Sequence, residues 1–237
     1  RDTFAMLHQH EVPMQPKAFA VGVRMEHPQE MINKDQYGEY YPDFLPAAPY
    51  KLTANLKNGR GVYTFCMCPG GKVVNASSEE NRLCTNGMSE FARDAENSNS
   101  ALLVGITPDD YESDHPLAGM YLQRKLESKA FVAGGENYNA PIQRVDDFLN
   151  NRKSTHLGDV KPSIGPNYEF SNLNEILPEY VCTSMAQGIV KMGRMLHGFD
   201  DGDAVLTGVE SRSSSPVRIM RKTDTLESVL IEGLYPC

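Results

Sequence analysis

The chain lacks long hydrophobic runs. No apolar stretch in its 237 residues approaches the roughly 20 residues that a membrane-spanning helix needs, and no signal peptide precedes the first helical pattern. We therefore expect no membrane contact and a cytoplasmic location. The chain also lacks a basic excess, because 31 acidic residues outweigh 23 basic ones and give a net charge of −8. That balance disfavours nucleic acid as a main partner, since phosphates call for a basic surface.

A disulfide framework and a metal site are also missing from the pattern. The five cysteines are odd in number and scattered, at positions 66, 68, 84, 182 and 237. They fit a reducing compartment better than a set of disulfides. A zinc site needs about four ligands, and no second cysteine pair or histidine pair has suitable spacing, so we predict no metal.

The sequence contains no recognisable nucleotide-binding turn. A dinucleotide fold requires a glycine-rich turn between a first strand and its helix. The nearest string begins Gly59-Arg60-Gly61, lacks the third glycine and leads into a strand. We therefore predict no dinucleotide-binding fold in this chain. Motifs for a zinc protease, a phosphate-cradling loop or a serine-histidine-aspartate triad are absent from the sequence as well.

Strand patterns flank a helical block. The predicted strands are residues 17–26, 50–56, 61–67, 72–76, 101–107, 204–210, 215–221 and 226–231. The clearest predicted hairpin pairs 61–67 with 72–76. Helical patterns cover residues 1–10, 114–133, 140–151 and 177–196, with a polar loop over 152–171. This order predicts an α+β fold. We expect an antiparallel, barrel-like β domain (residues 1–112 and 200–237) with an inserted small helical subdomain (113–199).

Both ends of the chain are abrupt. The last twelve residues, from Leu226, have the pattern of a buried strand that runs into a turn, and Arg1 enters a helical pattern directly. Natural termini are usually polar and loosely held. These features indicate a piece of a longer protein.

Cys66 and Cys68 are the first chemical candidates. Strand alternation places both thiols on one face, where they could chelate a metal, form a redox pair, lie near a redox cofactor, or remain plain unpaired thiols. The small polar stretch 75–100, which includes Arg93 and Asn97, fits either a surface loop or a surface that approaches a ligand. The segment 207–218 fits either a solvated connection or an anion site with two arginines.

Three strings resemble those of a family of uncharacterised bacterial FAD-dependent dehydrogenases. They are residues 1–10 with 16–29, residues 64–105 beginning TFCMCPGGKVVNASSEENRLC, and residues 201–219. The resemblance extends over essentially the whole chain and implies a flavoprotein of the glutathione-reductase-like type. It also implies that both FAD-binding pieces lie outside this chain, one before Arg1 and one after Cys237.

This resemblance implies a role as the substrate-side domain that covers the flavin. FAD would belong to the full-length protein, and the partners would be the FAD-binding domain of the same chain and a small-molecule substrate. The residues expected near the flavin are Cys68, which is also the candidate catalytic thiol, Pro69, Gly70, Gly71, Arg212, Ser213, Ser214 and Ser215. Arg93 and Asn97 are expected in the substrate pocket. We expect the chain alone to be inactive and to hold no FAD.

Two alternatives stay open at this point. One is an RNA- or protein-binding module of a flavoprotein, for which Arg212, Arg218, Arg221 and Lys222 would supply a local basic patch. The other is a thiol or metal redox module at Cys66 and Cys68.

Overall fold

The computed structural model describes residues 1–111 and 113–236, and these residues fold into eleven short strands and five α-helices. The helices are α1 (Asp2–Gln9), α2 (Gln29–Tyr37), α3 (Ala118–Ala133), α4 (Val145–Leu149) and α5 (Glu179–Gly193). Single 3-10 turns cover Pro108–Asp110 and Leu173–Glu175. The strands are β1 (Met14–Pro16), β2 (Phe19–Pro28), β3 (Thr53–Asn55), β4 (Gly61–Cys68), β5 (Gly71–Asn75), β6 (Thr85–Ser89), β7 (Asn97–Ile106), β8 (Ala140–Arg144), β9 (Tyr168–Phe170), β10 (Val205–Glu210) and β11 (Val217–Ile219).

The main sheet has seven strands in the order β3-β4-β7-β2-β10-β8-β9. The pairs β3–β4, β4–β7, β2–β10 and β10–β8 are antiparallel, and β8–β9 is parallel. Two small two-stranded sheets, β1–β11 and β5–β6, complete the set. The α+β class is confirmed. The barrel is not confirmed, because the strands of the described residues form open sheets.

The chain divides into two compact units. Unit 1 comprises residues 1–20, 106–125 and 212–237, and unit 2 comprises residues 21–105 and 126–211. The boundaries predicted for an inserted helical subdomain at 113–199 are not those of the two units, and that subdomain stays a prediction. In unit 1, the β1–β11 ribbon lies at a small apolar cluster of Leu117, Met120 and Val217, against which Phe4 and Met14 pack.

Unit 2 is built around strands that are buried on both faces. β2 and β7 are buried over nearly their whole length, as the apolar run at 101–107 predicted for a central strand. The predicted helix 177–196 is present as α5, and its apolar stripe is buried. Gly188 lets α5 approach β4 closely, because a Cβ atom there would lie 2.6 Å from Cγ1 of Val62. None of the helices in residues 1–111 and 113–236 is long and apolar enough to cross a membrane.

The predicted hairpin is wrong in its pairing. β4 and β5 both exist, but β4 pairs with β3 and β7, whereas β5 pairs with β6. The small polar residues of β6 have low strand propensity, so no local pattern indicates β6 as a competing partner. The segment between β5 and β6 turns the chain back, and the two strands form a separate ribbon that we call the cap hairpin (residues 71–89).

Two further element predictions are wrong. Ala140–Arg144 is strand β8 of the main sheet, and only Val145–Leu149 of the predicted helix 140–151 is helical. A short apolar run fits a buried strand and a helix equally well, so spacing could not decide it. The segment 226–231 forms no strand, since it contributes only the isolated bridge from Ser228 to Arg221, and Leu230 is exposed. Cys237, the last predicted residue, lies outside the described residues.

Candidate functional site

A bulge in β4 shapes the surface around the two neighbouring cysteines. Phe65 pairs with Ala101 and Cys68 pairs with Asn99, so two residues of β4 stand opposite one of β7. Cys66 has a φ of 48°, in the left-handed region that a β-bulge uses. The extra residue breaks the alternation, so Cys66 is exposed whereas Cys68 is buried. The prediction that both thiols share one face is wrong.

A buried arginine holds this bulge in place. The guanidinium of Arg24 on β2 donates to both carboxylate oxygens of Glu210, with Nη2 2.8 Å from Oε1. Nη1 donates to the main-chain oxygen of Cys66 at 2.8 Å and to Oδ1 of Asn99 at 3.3 Å, and Nη2 donates to Oδ1 of Asn86 at 2.7 Å. A guanidinium carries five N–H groups, and all five are therefore used. Such over-determination is what a strained backbone conformation requires in order to persist.

The Arg24–Glu210 ion pair can be buried because the two charges neutralise each other and every N–H of the guanidinium has an acceptor. Arg24 is 0% exposed and Glu210 is 4% exposed, so neither charge reaches water. Burial raises the pKa of Glu210, and the charge of Arg24 opposes that rise. An unpaired charge at this depth would cost several kcal/mol, on the order of the desolvation penalty of an ion. The pair is therefore a fixed structural element rather than a free acid or base.

The cap hairpin lies directly on this guanidinium. At Gly87 of β6, a Cβ atom would fall 2.1 Å from Oδ1 of Asn99 and 2.6 Å from Nη1 of Arg24. A glycine is thus required where β6 crosses the buried pair. Through Arg24, the positions of the bulge and of the cap hairpin are set by the same side chain.

A second buried carboxylate lies two residues further along β2, on the same face. Oε2 of Glu26 accepts from Nδ2 of Asn97 at 3.1 Å and from the main-chain N of Ser163 at 3.0 Å. Burial raises the pKa of Glu26, and these hydrogen bonds counteract only part of that rise. Asn97, a predicted pocket residue, also donates to the main-chain oxygen of Lys161 at 2.7 Å and is buried. It braces Glu26 and is not open to a ligand in this structure.

The predicted flavin-side turn, residues 68–71, is buried. Burial raises the pKa of the Cys68 thiol, and the main-chain oxygen of Pro69 accepts from Oγ of Ser89 at 2.8 Å. At Gly70, with a φ of 46°, a Cβ atom would lie 1.8 Å from the main-chain oxygen of Arg93, and Gly70 N donates to the side chain of Gln29 at 2.7 Å. The structure thus brings two predicted site positions, 70 and 93, together.

The glycines of this turn serve close packing. At Gly71, a Cβ atom would lie 2.5 Å from the main-chain oxygen of Met88. The space beside both glycines is therefore filled by the protein's own backbone, and it does not form a cradle for a cofactor. Arg93 itself has a φ of 52° and an exposed side chain.

The other predicted flavin-side run, residues 212–215, belongs to unit 1, whereas residues 68–71, 93 and 97 belong to unit 2. Oγ of Ser213 donates to the main-chain oxygen of Ala20 at 2.8 Å, and Oγ of Ser215 donates to that of Val217 at 2.7 Å. The first bond ties the loop to β2, and the second lies within the loop itself. Ser214 is exposed, and Arg212 is partly exposed.

Sequence reasoning missed the residues at the centre of the site, which are Arg24, Glu26 and Glu210. Each is a charged residue inside an otherwise apolar strand pattern. A charge in a strand that is buried on both faces needs a partner. The apolar residues on either side of positions 24 and 210 are therefore a local sign that these charges are paired. What the sequence could not show is which of these charges pair.

Comparison with known proteins gives the family. A family model described as "FAD-dependent protein, C-terminal domain-like" matches residues 18–213. The chain belongs to that family. An uncharacterized protein of Clostridium beijerinckii is 52% identical over 238 residues, which cover 100% of this chain and 44% of that relative. The chain thus spans less than half the length of the relative that it matches.

Membership of this family links the domain to flavoproteins. No dinucleotide-binding fold occurs in residues 1–111 and 113–236, so nothing described there is suited to holding the phosphates of FAD by a glycine-rich turn. Phe65 and Cys66 on β4 and Met88 on β6 are exposed at the surface of unit 2. Within the same described ranges, no group of three or more metal-ligating side chains is found.

Proposed function

We propose that this chain is the substrate-side domain of an FAD-dependent oxidoreductase of the glutathione-reductase-like type, a dehydrogenase that acts on a small molecule. Its partner would be the FAD-binding part of the same protein. The family match and the length of the relative support this division of labour. The observation that carries the proposal is the rigid, exposed turn at Cys66, which Arg24 fixes from below.

The turn has the properties of a wall against a flavin ring. It presents the aromatic side chain of Phe65 and a main chain that cannot shift without breaking the Arg24 network. When bound, the flavin would supply the redox chemistry. The residues of this chain would exclude water from the ring and fix the orientation of the substrate, which needs precise and rigid placement.

The other site residues receive supporting roles in this proposal. Residues 68–71 form the buried base of the exposed turn, and residues 212–215 remain a proposed cofactor-side segment of unit 1. The thiol at the surface is that of Cys66 rather than that of Cys68, the thiol expected from the sequence. The exposed side chain of Arg93 would attract an anionic substrate, and Asn97 would act indirectly by holding Glu26.

The test uses the full-length flavoprotein and compares Phe65→Ala with Phe44→Ala. Phe44 is a matched control because it is an exposed phenylalanine at 84%, in the loop before β3. We expect Phe65→Ala to increase the quenching of flavin fluorescence by iodide, since part of the cover is lost, and Phe44→Ala to leave it at the wild-type level. Equal quenching in both variants would contradict the proposal.

A second measurement tests the division between the two halves. The 237-residue chain should purify colourless and should show no flavin-dependent turnover. A yellow sample of this chain with stoichiometric flavin absorbance would contradict the proposal that the cofactor is held elsewhere in the protein.

The thiol or metal module fits the structure poorly, because the bulge leaves Cys66 exposed and Cys68 buried. Elemental analysis of the purified chain tests it directly.

A further inference from the structure

Unit 1 contains a groove lined by four cations, which we call the basic groove. Lys17, Arg218, Arg221 and Lys222 line it, and its volume is about 590 Å³. None of its lining residues, all within the described part of the chain, is acidic. This is unusual on a chain with a net charge of −8. A concave surface lined by one sign of charge concentrates ligands of the opposite sign.

The β1–β11 ribbon sets the spacing of two of these cations. Gln15 pairs with Arg218 across the ribbon, and Lys17 lies two residues beyond Gln15. Because alternate residues of a strand share a face, Lys17 and Arg218 lie diagonally across one face of the ribbon. Within residues 1–111 and 113–236, neither side chain has an ion pair or hydrogen-bond partner. An anion placed between these two like charges would interact favourably with both of them.

The other two cations are fixed by their neighbours. Nη1 of Arg221 donates to the main-chain oxygen of Pro236 at 2.9 Å, and Nζ of Lys222 pairs with Oε2 of Glu227 at 2.8 Å. The first bond leaves the charge of Arg221 unneutralised, whereas the second neutralises much of that of Lys222. Three of the four cations are therefore available to an anion.

The groove also has an apolar wall. Phe4, which is half-buried against the Leu117 cluster, and Met220 line it beside the cations. A volume of 590 Å³ lies within the usual range for small-molecule sites, and a single phosphate would fill only a small part of it. The lining thus fits a ligand that carries phosphate groups as well as a flat, partly apolar ring.

We propose that the basic groove binds a nucleoside diphosphate group, with its phosphates on Lys17, Arg218 and Arg221 and its base against Phe4 and Met220. Arginine is suited to this role because its planar fork matches two phosphate oxygens at once. The proposal rests on the groove alone and does not depend on the flavin-covering role of the Cys66 turn.

The experiment is a calorimetric titration of the 237-residue chain with ADP, at low and at physiological salt. We expect ADP to bind with a Kd below about 1 mM at low salt and more weakly as salt screens the charges. Arg218→Gln and Lys17→Gln should each weaken binding about tenfold or more, because each removes a charge-assisted contact. Lys57→Gln is the matched control, since Lys57 is an exposed lysine in unit 2 that loses the same charge. It should bind ADP like the wild type.

Folding and location are checked in the same samples. Far-UV circular dichroism shows whether each variant is folded, and amide hydrogen exchange of the wild-type chain should show protection of Val217–Ile219 when ADP is added. This second readout needs no variant. Absence of ADP binding up to 1 mM, or equal weakening by all three substitutions, overturns the proposal.

Further titrations identify the source of the diphosphate. Tighter binding of a nicotinamide dinucleotide than of ADP assigns the groove to an electron carrier. Tighter binding of FAD than of ADP assigns it to the flavin cofactor, and it also contradicts the separate proposal that FAD is held elsewhere in the protein. Binding of structured RNA without any binding of ADP overturns the proposal in favour of a nucleic-acid surface. A colourless chain that binds ADP separates this result from the flavin tests described above.

Discussion

The buried pair of Arg24 and Glu210 gives the sharpest test of how unit 2 is held together. Replacing Arg24 by Met keeps an unbranched, apolar stem but removes the charge and the five donors of the guanidinium. The carboxylate of Glu210, 4% exposed, then has no counter-charge. Breaking a buried pair in this way costs about 3–5 kcal/mol of the free energy of unfolding. A typical domain has about 5–15 kcal/mol in total, so the loss should be large and easily measured.

The pH dependence of the variant has a definite sign. Arg24 lowers the pKa of Glu210, and without it the effect of burial alone raises that pKa further above its ordinary value of 4.5. A carboxyl whose pKa is raised in the folded state is stabilising below its unfolded pKa and loses that contribution as the pH rises. The Arg24→Met variant should therefore lose stability more steeply than the wild type does as the pH rises above 4.5.

Urea unfolding followed by circular dichroism provides the assay, because the chain has no tryptophan to report by fluorescence. The double variant Arg24→Met/Glu210→Leu removes both charges and should recover most of the lost stability, as apolar replacements of buried pairs do. Arg194→Met, at an exposed arginine, should change the free energy of unfolding by less than about 0.5 kcal/mol. A single variant that loses less than about 1 kcal/mol, or a double variant no better than the single one, would refute the reasoning.

Three more predictions concern the same unit. Gly87→Ala should cost about 1–3 kcal/mol by overpacking, whereas Gly105→Ala, which has open space around its Cβ position, should be nearly neutral in the same urea titration. Burial lowers the pKa of His27 from 6.5 to about 4. The neutral imidazole therefore contributes about 3 kcal/mol to the free energy of unfolding above pH 6.5, and this contribution is lost as the pH falls through 4. His27→Gln should flatten the stability curve over that window, and an unchanged slope would contradict this. Iodoacetamide followed by peptide mapping should label Cys66 quickly, whereas Cys182, buried and with a pKa raised to about 12, should react only on unfolding; fast labelling of both would exclude this assignment.

Local patterns predicted many of the elements but few of their pairings. The apolar stripe of α5 and the buried run of β7 were strong enough to give the right element at nearly the right residues. The hairpin at 61–76 failed because the partner of β5 is the weakly patterned β6, a choice that depends on packing against Arg24 rather than on local sequence. The strand predicted at 226–231 is also wrong. Among the described residues, this segment makes only one isolated bridge, from Ser228 to Arg221, and its apolar residues do not join a sheet.

The candidate site was harder to predict than the fold. The cysteines and glycines at 66–71 stand out in the sequence, yet the bulge turned one thiol outward and packing accounts for both glycines. The pair of Arg24 and Glu210 links residues 186 positions apart, and no spacing rule connects them. A charged residue in an apolar strand is the one local sign that a buried partner exists, and it does not identify that partner.

The β1–β11 ribbon can form only late in the synthesis of the chain. Met14 pairs with Ile219, so β1 leaves the ribosome long before its partner strand does. At about 5–20 residues per second, the roughly 200 residues between them take about 10–40 s to make. During that time the apolar side of β1 and the residues around Leu117 lack Val217, which completes their cluster. Unit 1 can therefore close only after residue 219 has been made, and until then this apolar surface stays uncovered.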